Sequence, residues 1–410
     1  MANTLLTISM ITREALRILE NNICFTKHVR RDFDDAFGVA GAKIGTTLNV
    51  RKPPRYQGRI GQTLAVENAT EVSVPLTLSQ QVGADLQFTS QDLTLSIDDF
   101  AERFIEPAVA IVANKIDFDG LQQYSNVYNE VGTPGTVPNS LQTYLTARQR
   151  QNDEAVPIDS NRALVVSSGM EATIINALST LFNDVTEVSR QYKEGTMGRV
   201  IGYKWNMSQN SPVQTVGAGT SMPTVSGASQ TGSSLLVTGG SASVNNFFNK
   251  GDIITVANVY AVNPLNAQST GSLRQFVVTA NTSSPASGTW SIPIYPAITP
   301  ATALTQGYAG AFSTTNVSPA SGAAVALQGT AGTSSPRGLA FHKEAFAVAS
   351  ADLLLPGGVD MASRIADKQV GFSIRIVRQY NIQNDSYPTR LDVLYGWTTL
   401  YPEFACRIAS

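Results

Sequence analysis

Acid–base or thiol chemistry in this chain would depend on very few side chains. The only histidines are His28 and His342, and each fits a structural or surface position as well as a ligand or a general base. Cys24 and Cys406 lie near opposite ends of the chain and form no Cys-x-x-Cys pair, a pattern typical of a reducing compartment. We expect both cysteines to be small buried residues and not a disulfide.

Two acidic clusters are the next candidates, because carboxylates in series can bind cations. Asp32, Asp34 and Asp35 follow two arginines, and this trio lacks the glycine and the bidentate glutamate of a calcium loop. Asp117 and Asp119 flank the end of a predicted helix. Neither cluster has the spacing of a known metal motif, so we predict no metal site.

The glycine-rich segments also depart from catalytic motifs. In residues 38–43, Gly and Lys are not adjacent and no Ser or Thr follows Lys43, unlike a phosphate-binding loop. Gly217-Ala218-Gly219 has Met222 where a dinucleotide fingerprint requires glycine, and no nucleophile elbow occurs. The sequence therefore predicts no catalytic residue and no cofactor, and it indicates a protein that is not an enzyme.

Composition limits the class of protein further. The 410 residues allow two or three domains, and 42% of them are apolar, enough for sizeable cores. The net charge of -2 argues against a protein that grips nucleic acid through phosphate contacts. The N-terminus predicts no signal peptide and no apolar run approaches the ~18 residues of a membrane helix, so we expect a cytoplasmic protein that contacts no membrane.

A sharp change of composition marks a separate module at 208–336. Only Lys250, Asp252 and Arg274 are charged among these 129 residues. Runs rich in β-branched and aromatic residues, bounded by Gly, Asn and Pro turns, predict a small β-barrel or sandwich with strands at 234–238, 253–256, 274–279 and 290–294. A loop and a loose β extension both remain open for 299–335.

The segments on either side of this module predict one α/β domain, formed by 135–207 plus 337–410. A buried strand is expected at 161–166 and a helix at 170–182, where apolar residues recur at spacings of three and four. Strands are expected at 345–348 and 372–376, and alternating apolar residues predict two more strands through Leu391 to Tyr395 and through Phe404 to Ile408. Insertions of this kind are tolerated at exposed loop tips.

The first 130 residues predict elements that extend away from a compact core. An amphipathic helix at 4–20 precedes an arm that completes residues 1–45, and strands at 46–50 and 64–78 form an extended hairpin within 46–92. Its tip supplies our candidate subunit-interaction residues: Arg51, Lys52, Arg55, Tyr56 and Arg59. Nucleic-acid binding, with Tyr56 stacked on a base, is the alternative for this tip.

A long helix follows in the region 93–134. Ser96 and Asp99 have the spacing of a capping box, and the helix is predicted to continue to about Tyr124. Pro107 should kink or split this helix, because proline removes a backbone donor and collides with the preceding turn. A helix of this length beside a long hairpin is typical of a subunit that extends beyond its own core.

With these elements in order, the chain resembles the major capsid (coat) proteins of tailed phages, which share the Hong Kong 97 fold. It is most similar to podovirus coat proteins that carry a β-barrel insertion in the central domain. The stretches that carry the resemblance are 113–117, 190–202, 250–256, 390–396, Pro402-Glu403 and Arg407-Ile408.

The resemblance implies an α+β Hong Kong 97 capsid fold with an inserted all-β domain. It implies subunits that assemble through hexamers and pentamers into an icosahedral shell around double-stranded DNA, inside the host cytoplasm. Implied partners are a separate scaffolding protein, a portal protein and the packaged DNA. Two alternatives remain: a cargo-encapsulating compartment shell of the same fold, and a β-rich phage tail or receptor-binding protein.

Overall fold

A computed structural model of the chain describes most of its residues. The described residues are 15, 19, 23–31, 46–54, 56, 62–64, 66, 71–89, 106–178, 198–266, 268–301, 313–367 and 371–410. The predicted helix at 4–20 lies outside them except for Ala15 and Leu19, which are helical. The predicted capping box at Ser96 also lies outside the described residues.

The described residues form both helices and strands, which confirms the predicted α+β class. The helices are α1 (Glu106–Leu121), α2 (Leu141–Asp153) and α3 (Ser168–Leu178). The strands are β1 (Thr47–Lys52), β2 (Val72–Thr77), β3 (Gln80–Thr89), β4 (Glu130–Val131), β5 (Arg162–Val166), β6 (Arg199–Val200), β7 (Tyr203–Met207), β8 (Val213–Thr215), β9 (Thr224–Val225), β10 (Gly232–Thr238), β11 (Ile253–Val262), β12 (Ser269–Val278), β13 (Thr289–Ile298), β14 (Val325–Leu327), β15 (Ser334–His342), β16 (Phe346–Ala351), β17 (Met361–Asp367), β18 (Phe372–Arg378), β19 (Ser386–Thr399) and β20 (Ala405–Ala409).

The chain divides into two compact units. The first contains Met1–Val50, Ser73–Gly120 and Phe346–Leu400, and the second contains Arg51–Val72, Leu121–Ala345 and Tyr401–Ser410. This division differs from the five regions predicted from the sequence, whose boundaries stay a prediction.

The first unit is built on an antiparallel sheet of five strands. Its order is β16-β19-β18-β17, and β3 pairs with β19 over ten residues. Leu391, Val393 and Tyr395 alternate along β19 and all three are buried, as the sequence predicted. Helix α1 buries Val109, Val112 and Ile116 at spacings of three and four, so one stripe of it faces the interior of this unit.

The second unit contains a mixed sheet in the order β4-β20-β15-β5-β7-β6, with β8 pairing to β15. The strand predicted at 161–166 is observed as β5, and all five of its residues are buried. The buried side chain of Gln151 connects α2 to β7, to β15 and to the 3-10 turn before β20 through hydrogen bonds. It donates to the carbonyl oxygens of Ala340 and Phe404, each at 3.1 Å, and accepts a hydrogen bond from the Tyr203 hydroxyl.

The same unit contains a six-stranded antiparallel barrel in the order β14-β11-β12-β13-β10-β9. A bridge between Thr224, in β9, and Ala324, directly before β14, joins the two ends of the sheet and closes it. All four strands predicted in the charge-poor module are present, as β10 to β13. The question left open for 299–335 is answered in part, because β14 lies within this segment. The barrel encloses Phe247, Phe248 and Trp290 in one apolar core.

The hairpin differs from its prediction in the second strand. β1 and β2 pair as expected, but β2 begins at Val72, whereas the sequence predicted a strand from residue 64. Pro53 and Pro54 explain the difference, because proline lacks the N–H group that a ladder needs and β1 therefore ends at Lys52. Leu64 and Val66 lie outside any strand and are 77% and 82% exposed.

The predicted long helix is shorter within the described residues than expected. α1 ends at Leu121, and a 3-10 turn at Gln122–Asn126 follows it. Pro107 is the second residue of α1, so the predicted kink would involve residues outside the described part of the chain. Residues 179–182 of the second predicted helix lie outside it as well.

Candidate assembly site

The hairpin carries the candidate subunit-interaction residues, and the structure places three of the five. Arg51 has its guanidinium 3.4 Å from the carboxylate of Glu71, and both side chains are largely exposed. The Lys52 ammonium lies 4.5 Å from the centroid of the Tyr401 ring. Tyr56 is 55% exposed. Arg55 and Arg59 lie outside the described residues, so the structure does not test whether the five act together.

A pocket of about 490 Å³ lies at the loop end of the hairpin, entirely within the second unit. Its wall is rich in aromatic and proline rings, supplied by Tyr128, Tyr295, Tyr401, Pro53, Pro264 and Pro296. Lys52 and Arg274 contribute cations, and Glu154 and Glu403 contribute carboxylates. The loop end of the hairpin, the barrel and the C-terminal segment therefore meet around one cavity.

An ion pair between the barrel and the residue that follows α2 lines this pocket. The guanidinium of Arg274, on β12, lies 2.5 Å from the carboxylate of Glu154. The same guanidinium lies 4.5 Å from the centre of the Tyr128 ring. Burial raises the pKa of Glu154, although the adjacent Arg274 opposes this shift. Burial also holds the pKa of Tyr128 well above its ordinary value, so this phenol stays neutral.

A second contact between barrel and core involves the backbone of β4. The side chain of Gln275 accepts a hydrogen bond from the Glu130 amide and donates one to the Glu130 carbonyl, both at 2.9 Å. The Glu130 carboxylate lies 3.1 Å from Arg407 and 3.3 Å from Arg337. Arg407 also donates to the carbonyl oxygen of Gly251, at 2.6 Å. The Glu130 carboxylate therefore pairs with two buried arginines, and the Glu130 backbone binds the barrel.

Asp252 organises the turn before β11. Its carboxylate accepts hydrogen bonds from the backbone amides of Gly217 and Asn249 and from the side chain of Gln214. Gln214 in turn accepts a hydrogen bond from the Tyr124 hydroxyl at 2.6 Å. Burial raises the pKa of Asp252, and these hydrogen bonds oppose the shift.

We call this set of contacts the junction, and its residues are Tyr124, Tyr128, Glu130, Glu154, Gln214, Asp252, Arg274, Gln275, Arg337 and Arg407. The sequence singled out Asp252 and Arg274 as two of the three charges in the module, but it assigned no role to either. A usable signal was present, because a charge kept inside an otherwise uncharged module is expected to have a buried partner. The partner residues carry no such signal in the sequence.

Three of the residues considered for chemistry have structural roles, whereas Asp32, Asp34, Asp35 and residues 38–43 lie outside the described residues. His342 contacts the carboxylate of Asp159 at 3.1 Å and packs edge-on against Phe404. The buried Asp117 accepts hydrogen bonds from the backbone amides of Phe25 and Thr26, each at 3.1 Å, and from the amide of Cys24. It therefore fixes the short 3-10 turn at Thr26–His28. Asp119 pairs with Lys115 and accepts from Tyr395.

The two cysteines and the acidic groups of the described residues are the candidates for thiol chemistry and metal binding. Neither cysteine forms a disulfide; Cys406 is buried, as expected, whereas Cys24 is only partly buried. Burial raises the pKa of the Cys406 thiol to about 12, which keeps it protonated. Within the described residues, no three His, Cys, Asp or Glu side chains are close enough to hold a metal ion. In the same part of the chain, no helix is both long and apolar enough to cross a membrane.

Comparison with known proteins gives one family match. Residues 231–407 match the family model described as P22 coat protein, gene protein 5. This segment runs from the start of β10 into β20, and it includes most of the barrel and the junction residues Asp252, Arg274, Gln275, Arg337 and Arg407. No curated protein matches the chain.

Several solved structures are similar to the chain at low identity. A structure of Mycobacterium phage Che8 is 11% identical, with a TM-score of 0.46, and the alignment covers 95% of this chain and 92% of that one. The capsid of cyanophage P-SCSP1u is 10% identical, with a TM-score of 0.44 and coverage of 93% and 86%. The CUS-3 coat protein I-domain is 22% identical over 26% of this chain and 96% of its own, with a TM-score of 0.20.

Over residues 231–407 the chain is therefore similar to a phage coat protein family, that of the P22 coat protein, in agreement with the resemblance predicted from the sequence.

Proposed function

We propose that this coat protein assembles through hexamers and pentamers into an icosahedral shell around a double-stranded DNA genome. The match of residues 231–407 to a phage coat family carries the proposal. Assembly takes place in the host cytoplasm, with a separate scaffolding protein and a portal protein as partners. The role is structural, and no catalytic step is part of it.

The exposed apolar residues of the hairpin support contacts between copies. Tyr56, Leu64, Val66 and Val72 lie within 17 residues of sequence and are between 55% and 82% exposed. Exposed apolar side chains that form one surface are typical of an interaction site. A neighbouring subunit would cover these side chains, and Arg51 would add an ionic contact at the edge of the same surface.

The charge balance supports enclosure of DNA without tight binding. The net charge is -2, and of the three charged residues in the module 208–336 only Lys250 is exposed. Phosphate contacts supply most of the affinity in proteins that grip DNA. A coat subunit without a net positive charge would leave packaged DNA able to enter and leave the shell.

The junction supports a role for the inserted barrel in the integrity of the subunit. Glu154, Arg407 and the Glu130 backbone all have barrel groups as partners. Deletion of 208–336 would remove the barrel partners of all three groups and leave Arg407 with its ion pair to Glu130 alone. We expect the deleted chain, with its ends joined, to fold poorly or to assemble with altered geometry. Particles of native size from this deletion would contradict the expectation.

Electron microscopy of the purified chain, expressed alone and with candidate scaffolding partners, tests the proposed function. Closed icosahedral shells or aberrant spirals are expected. Discrete trimers or monomers under every condition would contradict a shell and favour a tail protein. Shells that purify with a protein cargo and no DNA would favour a compartment.

A further inference from the structure

The loop between β16 and β17, residues 352–360, combines an exposed leucine with a backbone that is held in place. We call it the leucine loop; its sequence is Asp-Leu-Leu-Leu-Pro-Gly-Gly-Val-Asp. Leu354 is 83% exposed, the highest value among the large apolar residues of the described chain, and Leu355 is 39% exposed. An apolar side chain this exposed contributes almost no burial free energy to the isolated subunit.

Arginines on the neighbouring strands fix the backbone on either side of Leu354. Arg375, on β18, donates to the carbonyl oxygen of Leu354 at 2.7 Å. Arg364, on β17, donates to the carbonyl oxygen of Leu353 at 3.0 Å and lies 3.3 Å from the carboxylate of Asp352. The loop is thus ordered before any partner arrives, so binding through Leu354 would require little additional loss of conformational entropy.

The charges around the leucine loop are balanced. Asp352 pairs with Arg364, and Asp360 pairs with Arg378 at 2.7 Å. All four side chains are between 25% and 39% exposed, so each pair stays accessible at the rim. A partner surface that carried charges of only one sign would be repelled by two of these four side chains. A second copy of the same loop presents both signs and can therefore be complementary to it.

We propose that the leucine loop is a contact between copies of this chain, in which Leu354 packs against Leu354 of another copy. The aspartate–arginine pairs at the rim orient the loops and exclude water from the leucines. Such like-to-like contacts arise when copies meet around a symmetry axis. This inference rests on the proposed function, since a shell requires repeated contacts between copies, and it names one of those contacts.

The first test compares shell formation by Leu354→Asp, by Leu354→Ile and by a matched control. Ile158 is 74% exposed and lies in the other unit, so Ile158→Asp adds the same charge at an apolar site outside the loop. We expect Leu354→Asp to lower shell yield by roughly tenfold or more, because it removes a leucine from the contact and sets carboxylates against one another. Leu354→Ile and Ile158→Asp should assemble as the wild type does.

Thermal unfolding separates assembly from folding in this test. Because Leu354 is exposed in the subunit, Leu354→Asp should leave the unfolding temperature of the unassembled chain unchanged. Wild-type shell yield from Leu354→Asp would overturn the inference and leave the proposed function intact.

Disulfide trapping provides a second test that does not require shells. Leu354→Cys in the full chain, treated with a mild oxidant at high protein concentration, should give covalently linked copies through a disulfide between the two introduced thiols. Wild type and Ile158→Cys, treated in the same way, report the background from Cys24 and from random collisions. Cross-linking without shells would retain the contact and contradict the proposed function. Absence of cross-linking in wild-type-like shells of Leu354→Cys would overturn the contact alone.

Discussion

The interior of the barrel and the junction between the barrel and the mixed sheet are both buried. The first is built from apolar residues and the second from charged and polar residues. Inside the barrel, the rings of Phe247, Phe248 and Trp290 lie between 4.9 and 5.9 Å apart, centroid to centroid, among aliphatic side chains. At the junction, arginines, carboxylates and amides form ion pairs and hydrogen bonds. Apolar packing has little directionality, whereas a buried ion pair is favourable in one geometry only.

This difference explains how one chain can hold an inserted domain in a defined orientation. The barrel core stabilises the barrel itself, since burial of apolar area drives its folding. The junction contributes less net free energy, because desolvation offsets much of the attraction between buried charges. The junction instead fixes the orientation of β12 relative to the C-terminal end of α2 and relative to β4. We therefore make four predictions about the free energy of unfolding, in order of decreasing magnitude.

Removal of an aromatic ring from the barrel core should have the largest effect. Phe248→Ala is expected to lower the free energy of unfolding by about 3–5 kcal/mol, because the ring is fully buried and leaves a cavity. Chemical denaturation of the full chain measures the change. Leu236→Ala, on the same barrel but 42% exposed, is the control and should cost less than about 1 kcal/mol. Equal costs for the two variants would contradict the assigned core.

Removal of one partner of the buried ion pair should have a similar or slightly smaller effect. Arg274→Met is expected to cost about 3 kcal/mol, since it leaves the Glu154 carboxylate buried without its cation. The double variant Arg274→Met with Glu154→Gln should recover at least half of this loss, because no charge then remains unpaired. Denaturation of the two single variants and the double variant completes the cycle. Additive losses would mean that the two side chains do not interact.

The junction should also make stability depend on pH through Asp252. Burial raises the folded-state pKa of this carboxyl above its ordinary value of 3.8, so the folded chain binds the proton more tightly than the unfolded chain does. The stabilisation is therefore complete below pH 3.8 and is lost as pH rises through the folded-state pKa. Asp252→Asn removes this titration. The stability of the wild type relative to Asp252→Asn should fall over that range, and a rise would contradict the raised pKa.

The exposed ion pair of the hairpin should have the smallest effect on the subunit. Arg51→Ala is expected to change the free energy of unfolding by less than about 0.5 kcal/mol, because water screens its contact with Glu71. If Arg51 contacts a neighbouring subunit, shell yield should still decrease. Glu71→Ala provides the matched control for loss of the intramolecular pair. A large loss of stability in either variant would show that the pair is structural.

Prediction from the sequence succeeded where a local pattern determines the structure. Alternating apolar residues along β19 and the β-branched runs of β10 to β13 specify strands, because side chains alternate between the two faces of a strand. The predicted start of β2 was wrong, since the extent of a strand depends on its partner, and β1 stops before Pro53. β3 was not predicted at all, because it has few buried side chains and depends on its pairing with β19.

The candidate site shows the same division between local and distant information. Arg51, Lys52 and Tyr56 were found from their position at a predicted hairpin. The junction was not found, because its partners lie far apart in the sequence: 120 residues separate Glu154 from Arg274, and 145 separate Glu130 from Gln275. Asp117 illustrates the limit further, since its partners at residues 24–26 are more than 90 positions away.

The sequence alone predicted a nearly uncharged all-β insertion and most of its strands, because composition and short-range periodicity act before any distant residues meet. The resemblance to phage coat proteins came from short motifs and from the order of the predicted elements, and the family match over residues 231–407 agrees with it. Only the tertiary structure decided which of the few charges are buried in pairs and which side chain holds the Thr26–His28 turn. It also decided that Leu354 stays exposed on an ordered loop. Such properties depend on which distant segments become neighbours, and no local pattern encodes that choice.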